Sequence, residues 1–190
     1  MKKIIYLMYI LFLSFILSGC INLGQSQLDI NKPLDKTKGI IIGEVSEGFL
    51  TQPHDLWIAI KSTTPKNDTL ILLRTFDSPD EDERKNIYSH KFIYELPEGE
   101  YEIHRWRYKY FKGMSTLQKP PIKFTVKANE IAYIGSFHAN AISMCLSNND
   151  DYDSKISEFK QKYPILKGKP IVNKAKFLQF RCWKHENAEQ

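Results

Sequence analysis

The stretch Phe92-Ile93-Tyr94-Glu95-Leu96-Pro97-Glu98-Gly99-Glu100-Tyr101-Glu102-Ile103 decides the fold. Two runs rich in aromatic and β-branched residues flank a Pro-Glu-Gly tripeptide. Proline presets φ near the value a turn needs, and glycine supplies a positive φ without steric cost. The stretch therefore reads as a strand, a tight turn and a second strand, with strands expected over 89–96 and 100–110.

Working outward, similar runs recur between turn signals. Ile40-Ile41-Ile42 and Val45 form a β-branched run that stops near Ser46-Glu47-Gly48. Leu56, Ile58 and Ile60 alternate along one face. Pro65, Asn67 and Asp68 mark a turn before the apolar run at 69–76. Ile122, Phe124 and Val126 alternate again, and Ala128-Asn129-Glu130 turns the chain into 131–137. No helical period lies between these runs, which disfavours a parallel α/β architecture. The expected fold is mainly β: an antiparallel β-sandwich of seven or eight strands over residues 39–183. One C-terminal helix is expected near 151–163. Tyr152, Ile156, Phe159 and Tyr163 form its apolar stripe, acidic residues load its first turn, and Pro164 follows. A last strand is expected at 174–183 and a frayed tail at 184–190.

The turn and its surroundings resemble the Leu-Pro-x-Gly-x-Tyr turn of prealbumin-like, carboxypeptidase-regulatory-like sandwiches. The stretch Phe124-Thr125-Val126 with Asn129 to Gly135 is similar to the following hairpin in small envelope lipoproteins of unknown function. The resemblance covers residues 89–138. It implies a fold and a surface location and brings no catalytic residues.

The N-terminus has its own signature. Lys2 and Lys3 precede an apolar run from Ile4 to Leu17, broken only by Ser14, as in a signal peptide. Leu17-Ser18-Gly19-Cys20 then resembles the bacterial lipobox. That resemblance implies cleavage of residues 1–19, a diacylglycerol thioether on Cys20, and stable anchoring through two or three acyl chains. Residues 20–38 are expected to be a flexible tether. Ile21, in place of Asp, points to the outer membrane, facing the periplasm. The rival reading is an uncleaved anchor, since Ile4 to Ile21 approaches the ~20 residues that span a bilayer.

The chain has 190 residues, a net charge of +5 and 42% hydrophobic residues. Two of those charges leave with the signal, so the basic balance does not point to nucleic acid. Aromatic content is high, with 11 Phe, 10 Tyr and 3 Trp, which supports a packed core. With Cys20 lipidated, Cys145 and Cys182 are the expected disulfide of an exported domain. In the chain-entropy picture such a loop contributes roughly 4 kcal/mol. The bland alternative is two buried thiols. A metal site built on Cys182, His185 and Cys145 has too few ligands to be favoured.

The strand at 100–110 holds the expected binding residues. Arg105, Arg107 and Lys109 alternate with His104, Trp106, Tyr108 and Tyr110. This reads either as a cationic and aromatic strip for an envelope protein or an anionic glycan or lipid, or as a core face backed by edge-protecting cations. Tyr101 and Ile103 share the cationic face, so a bulge near His104 is required. The acidic stretch from Asp77 to Glu83 lacks the glycine of a calcium loop and reads as a solvated loop. There is no H-E-x-x-H, G-x-S-x-G or phosphate-binding glycine motif, so no catalytic residue, metal or cofactor is expected. The expected function is a lipid-anchored envelope protein with a binding or assembly role. An envelope hydrolase using His138 or His104, and a structural accessory subunit, are the rivals.

Overall fold

The computed structural model describes residues 27–29, 31–77, 80–82, 86–111 and 113–186. The expected signal peptide, the lipobox-like stretch and Cys20 lie outside the described residues. Among those described, no helix is long and apolar enough to cross a membrane.

Among the described residues, eleven strands form two facing sheets. They are β1 (Lys38–Gly48), β2 (Leu56–Ser62), β3 (Leu70–Arg74), β4 (Asp80–Asp82), β5 (Ile87–Pro97), β6 (Gly99–Tyr108), β7 (Ile122–Val126), β8 (Ile131–Asn140), β9 (Cys145–Asn149), β10 (Val172–Asn173) and β11 (Phe180–Lys184). The large sheet runs β11-β9-β8-β1-β5-β4, with β10 also on β8, and the small sheet runs β3-β2-β6-β7. The described residues form a mainly β sandwich with one α-helix, α1 (Tyr152–Lys162). Three strands go beyond the eight expected: β9, and β4 and β10, whose three and two residues are too short for periodicity to mark. The pairing is antiparallel except along β8, which lies parallel to both β1 and β10.

The decisive turn forms as expected. β5 ends at Pro97, and Gly99 opens β6 at φ 156°. A Cβ there would meet Thr64 Oγ1 at 2.4 Å, so glycine also answers a close approach. The Tyr101 hydroxyl donates to the Pro97 carbonyl at 2.9 Å and fastens the turn. Asn129 sits at φ 58°, the positive value its turn requires.

The interior is filled by alternate residues of both sheets, including Ile41, Val45, Phe92 and Tyr94 from one and Leu56, Ile58, Ile60, Tyr101, Trp106 and Tyr108 from the other. A second apolar layer lies on the outer side of the large sheet. Ile40, Ile42, Ile93 and Tyr133 meet the Phe159 and Tyr163 of the expected helix stripe, flanked by Tyr152 and Ile156. Lys155 Nζ reaches Glu44 Oε2 at 2.9 Å and pins the helix to β1.

β8 contains a bulge. Ile42 pairs with Tyr133 and Glu44 with Ser136, so Ile134 and Gly135 together oppose Gly43. Gly135 takes φ 116°, and a Cβ on it would meet Asn148 Oδ1 at 2.2 Å. The bulge resets the alternation, sending Phe137 inward and His138 outward.

Two boundary expectations are corrected. The segment up to residue 38 is not free throughout: Leu28 N donates to Ile93 O at 3.0 Å, and Leu28 and Leu34 pack on the second apolar layer. At the other end, Lys184 belongs to β11. His185 is buried, with its backbone N donating to Met144 O at 2.8 Å. The strand expected at 174–183 is split, because Ala175–Phe177 makes a 3-10 turn before β11 begins.

Candidate functional site

The outer face of the small sheet is built by simple alternation. In β2, Leu56, Ile58 and Ile60 point inward, which sends Trp57, Ala59 and Lys61 outward. Register then makes three cross-strand rows: Arg74–Trp57–Arg107, Leu72–Ala59–Arg105 and Leu70–Lys61–Glu102. Small Ala59 between larger neighbours leaves a groove of about 320 Å³. Its lining includes Trp57, Leu70, Leu72, His104, Arg105 and Met114.

β6 reaches this arrangement through the expected bulge. Ala59 pairs with Arg105 and Ile60 with Ile103, so His104 is the extra residue. Tyr101 and Ile103 face inward before it, Trp106 and Tyr108 after it. Trp106 and Tyr108 are 1% and 0% exposed, so neither is an accessible binding ring. Lys109 lies beyond the end of β6, with Nζ 3.9 Å from the buried carboxylate of Asp55. The cationic strip thus reduces to Arg105 and Arg107. The aromatic surface beside them is Trp57, which alternation in β2 could have indicated.

Charge on this face is unevenly satisfied. Arg74 pairs with Asp55 at 2.9 Å and with Asp77 at 3.4 Å. Lys61 pairs with Glu102 at 3.1 Å. Among the described residues, no carboxylate lies within 4 Å of the Arg105 or Arg107 guanidinium. Arg105 Nη1 instead meets the Met114 sulfur at 3.5 Å, and Arg107 lies 4.7 Å from the Trp57 ring centroid. Burial, with Lys61 and Arg105 nearby, lowers the His104 pKa below the usual histidine value. The groove is apolar on its floor and positive along one rim.

The other candidates divide clearly. Ser46 Oγ and His138 Nδ1 are 2.9 Å apart on the outer face of the large sheet, and Ser46 Oγ also lies 3.3 Å from the Phe137 carbonyl. The hydroxyl donates to that carbonyl and can accept from the Nδ1–H tautomer of His138, and the described residues place no carboxylate on the ring's second nitrogen to orient it as a base. Cys145 and Cys182 form a disulfide between β9 and β11, with Cα atoms 5.0 Å apart. They are therefore not ligands beside His185. Among the described residues no group of three histidine, cysteine or acidic side chains could hold a metal ion. Of the acidic stretch, Asp77 is tied to Arg74 and Asp80–Asp82 forms β4 against β5.

No family model matches this chain, and no curated protein matches it. A leucine-rich repeat protein from Bacteroides thetaiotaomicron VPI-5482 aligns with 65% of this chain at 11% identity and a TM-score of 0.31, and the alignment spans 16% of that protein. At that score the likeness bears no weight.

Proposed function

We propose that the protein is a lipid-anchored envelope protein, held by acyl chains on Cys20 and most consistent with the periplasmic face of the outer membrane. Its role on this reading is non-enzymatic binding through the outer face of the small sheet. The observation that carries the binding reading is the pair Arg105 and Arg107, which have no carboxylate partner among the described residues and stand on the rim of an apolar groove. Two unneutralised guanidiniums beside apolar surface suit a ligand with an anionic group and a hydrophobic or ring-shaped body. Anionic glycolipids and acidic envelope proteins share that chemistry. The experiment is recovery of envelope partners, or of an anionic glycolipid, with the double variant Arg105→Glu and Arg107→Glu. Both side chains are partly exposed, so the fold should persist while recovery falls. Unchanged recovery would remove the groove as the site. The anchor is tested separately by intact mass: a diacylglycerol on an N-terminal Cys20 is expected, and an unmodified Met1 would sink it.

A further inference from the structure

Charge is unevenly placed along the chain. From Phe159 to His185 there are eight lysines and arginines and no aspartate or glutamate, while the whole chain carries only +5. The rest is therefore net acidic. The first part of this stretch covers the second apolar layer, on the outer side of the large sheet. Phe159, Tyr163 and Leu166 are buried in that layer. Lys160 and Lys162 flank them on the last turn of α1, and Lys167 and Lys169 follow in the connection from α1 to β10. Lys162 and Lys167 are exposed, Lys160 and Lys169 half-buried.

The carboxylates around these lysines are already engaged. Asp29 pairs with Lys32 at 3.3 Å, Asp35 with Lys38 at 3.6 Å, Glu158 with Lys91 at 3.1 Å, and Glu130 with Lys174. Among the described residues no carboxylate lies within 4 Å of the amino group of Lys36, Lys160, Lys167 or Lys169. Asp150, Asp151 and Asp153 stand at the opposite end of α1, and Asp150 accepts from Asn173 Nδ2 at 2.9 Å. Asp153 is nine helical positions from Lys162, about 14 Å at the helix rise. Lysines without counter-charges on a folded layer suit the anionic headgroup plane of a bilayer. Each lysine near such a plane adds attraction, which salt screens within about 10 Å.

The chain's route brings the lipid to the same side. Leu28 N donates to Ile93 O at 3.0 Å, and Leu28 and Leu34 pack into this layer with Leu166. Seven residues separate Cys20 from Gln27, which reach about 25 Å when fully extended. A helix layer is about 10 Å thick, so that length crosses it with slack. Serving the outer face of the small sheet would take the same residues around the edge of the sandwich and past a second sheet.

We propose that the outer layer of the large sheet rests on the anionic bilayer surface that holds the Cys20 lipid, through Lys36, Lys160, Lys162, Lys167 and Lys169. The proposal rests on the anchor reading above. Pro164, Gly168 and Pro170 are the exposed residues between these lysines, so the layer adsorbs to headgroups and does not insert. Docked this way, the protein turns the groove of the small sheet away from the lipid.

The test uses the full lipidated chain in phosphatidylglycerol-rich or in phosphatidylcholine vesicles whose headgroups carry a nitroxide. A thiol fluorophore is attached at Gln161→Cys, on α1 between Lys160 and Lys162, or at Asp68→Cys, between β2 and β3 of the small sheet. In phosphatidylglycerol, quenching at 161 should exceed that at 68 by about threefold. The excess should vanish in phosphatidylcholine, at high salt, and in the triple variant Lys160→Glu, Lys167→Glu, Lys169→Glu. The lipid and salt arms use one unchanged protein, so the result does not depend on how the triple variant folds. Equal quenching at 161 and 68 in protein that floats with phosphatidylglycerol vesicles would overturn the docking and leave the anchor intact. An excess indifferent to lipid charge would overturn it equally. A probe at 161 that is unquenched yet shielded from aqueous iodide would assign the basic layer to an acidic protein instead. A chain that fails to float would overturn both readings.

Discussion

The Arg107 guanidinium lies 4.7 Å from the Trp57 ring centroid, and Arg74 covers the same ring at 4.9 Å. Register places the two cations on the strands either side of Trp57. Partly buried cation–π contacts are worth about 0.5–2 kcal/mol each. Trp57→Ala should therefore lower stability by about 1–3 kcal/mol and also loosen the Arg107 rim of the groove. Trp57→Phe should recover part of both effects. Urea midpoints measure the first and ligand recovery the second, and an unchanged midpoint in Trp57→Ala would show the stacking to be without consequence.

Glu47 is fully buried and well supplied with donors. It accepts from the backbone N of His54 at 2.8 Å and of Leu56 at 3.3 Å, and from Thr75 Oγ1 at 2.5 Å. Leu56 N also donates to Thr75 Oγ1 at 3.0 Å, so removing the carboxylate strands the His54 N–H and the Thr75 hydroxyl. Glu47→Ala should cost about 3 kcal/mol or more. Glu47→Gln, which keeps an acceptor, should cost less. Equal losses in chemical denaturation would contradict this account.

Burial lowers the His138 pKa below its unfolded value near 6.5, and burial acts in the same direction on His185 and His104. The sign follows from proton counting. Below pH 6.5 the unfolded chain takes up protons that the native state refuses, so acidification favours unfolding. Stability should be complete above about pH 7.5 and decline through the window below about 6.5. His138→Gln should flatten part of that decline while retaining a partner for Ser46. A variant profile parallel to wild type would exclude His138 as a contributor.

The Cys145–Cys182 bridge closes a loop of sequence separation 37 and joins β9 to the terminal strand β11. Replacing both with serine should lower stability by roughly 2–4 kcal/mol. Hydrogen exchange should rise first in β11 and at His185, whose backbone N reaches Met144 O. Unchanged exchange there would show that Trp183, whose Nε1 donates to Thr116 O at 2.6 Å, suffices to hold the strand.

Local pattern made much of this architecture legible. Alternation at Leu56, Ile58 and Ile60, the Pro97–Gly99 turn and the stripe from Tyr152 to Tyr163 each reflect a choice made within a few residues. The bulge at His104 was required by the clash between Ile103 and Arg105 for one face. What pattern could not supply is partnership. β10 exists because Val172 and Asn173 pass beside Ala132 and Tyr133, and nothing within those two residues says so. The Ser46–His138 contact depends on the bulge at Ile134–Gly135, which sets the face His138 takes. The groove needed register: Ala59 is unremarked in the chain until Leu72 and Arg105 flank it. Trp106 and Tyr108 had two possible faces, and the bulge sent both into the core.

The parallel pairing of β1 with β8 sets an order of events for a chain made from its N-terminus. Ile40 to Gly48 find no antiparallel partner until β5 has emerged, and their second neighbour, Ile131 to Asn140, follows some forty residues later still. Until then the Ile40-Ile41-Ile42 run is an unpaired, β-prone edge on both sides. Contacts this distant in sequence form slowly. A chain with its central strand first and that strand's partners late completes the large sheet only once residues up to Asn140 have emerged. The waiting β1 segment is therefore the stretch most open to misassociation before β5 and β8 arrive.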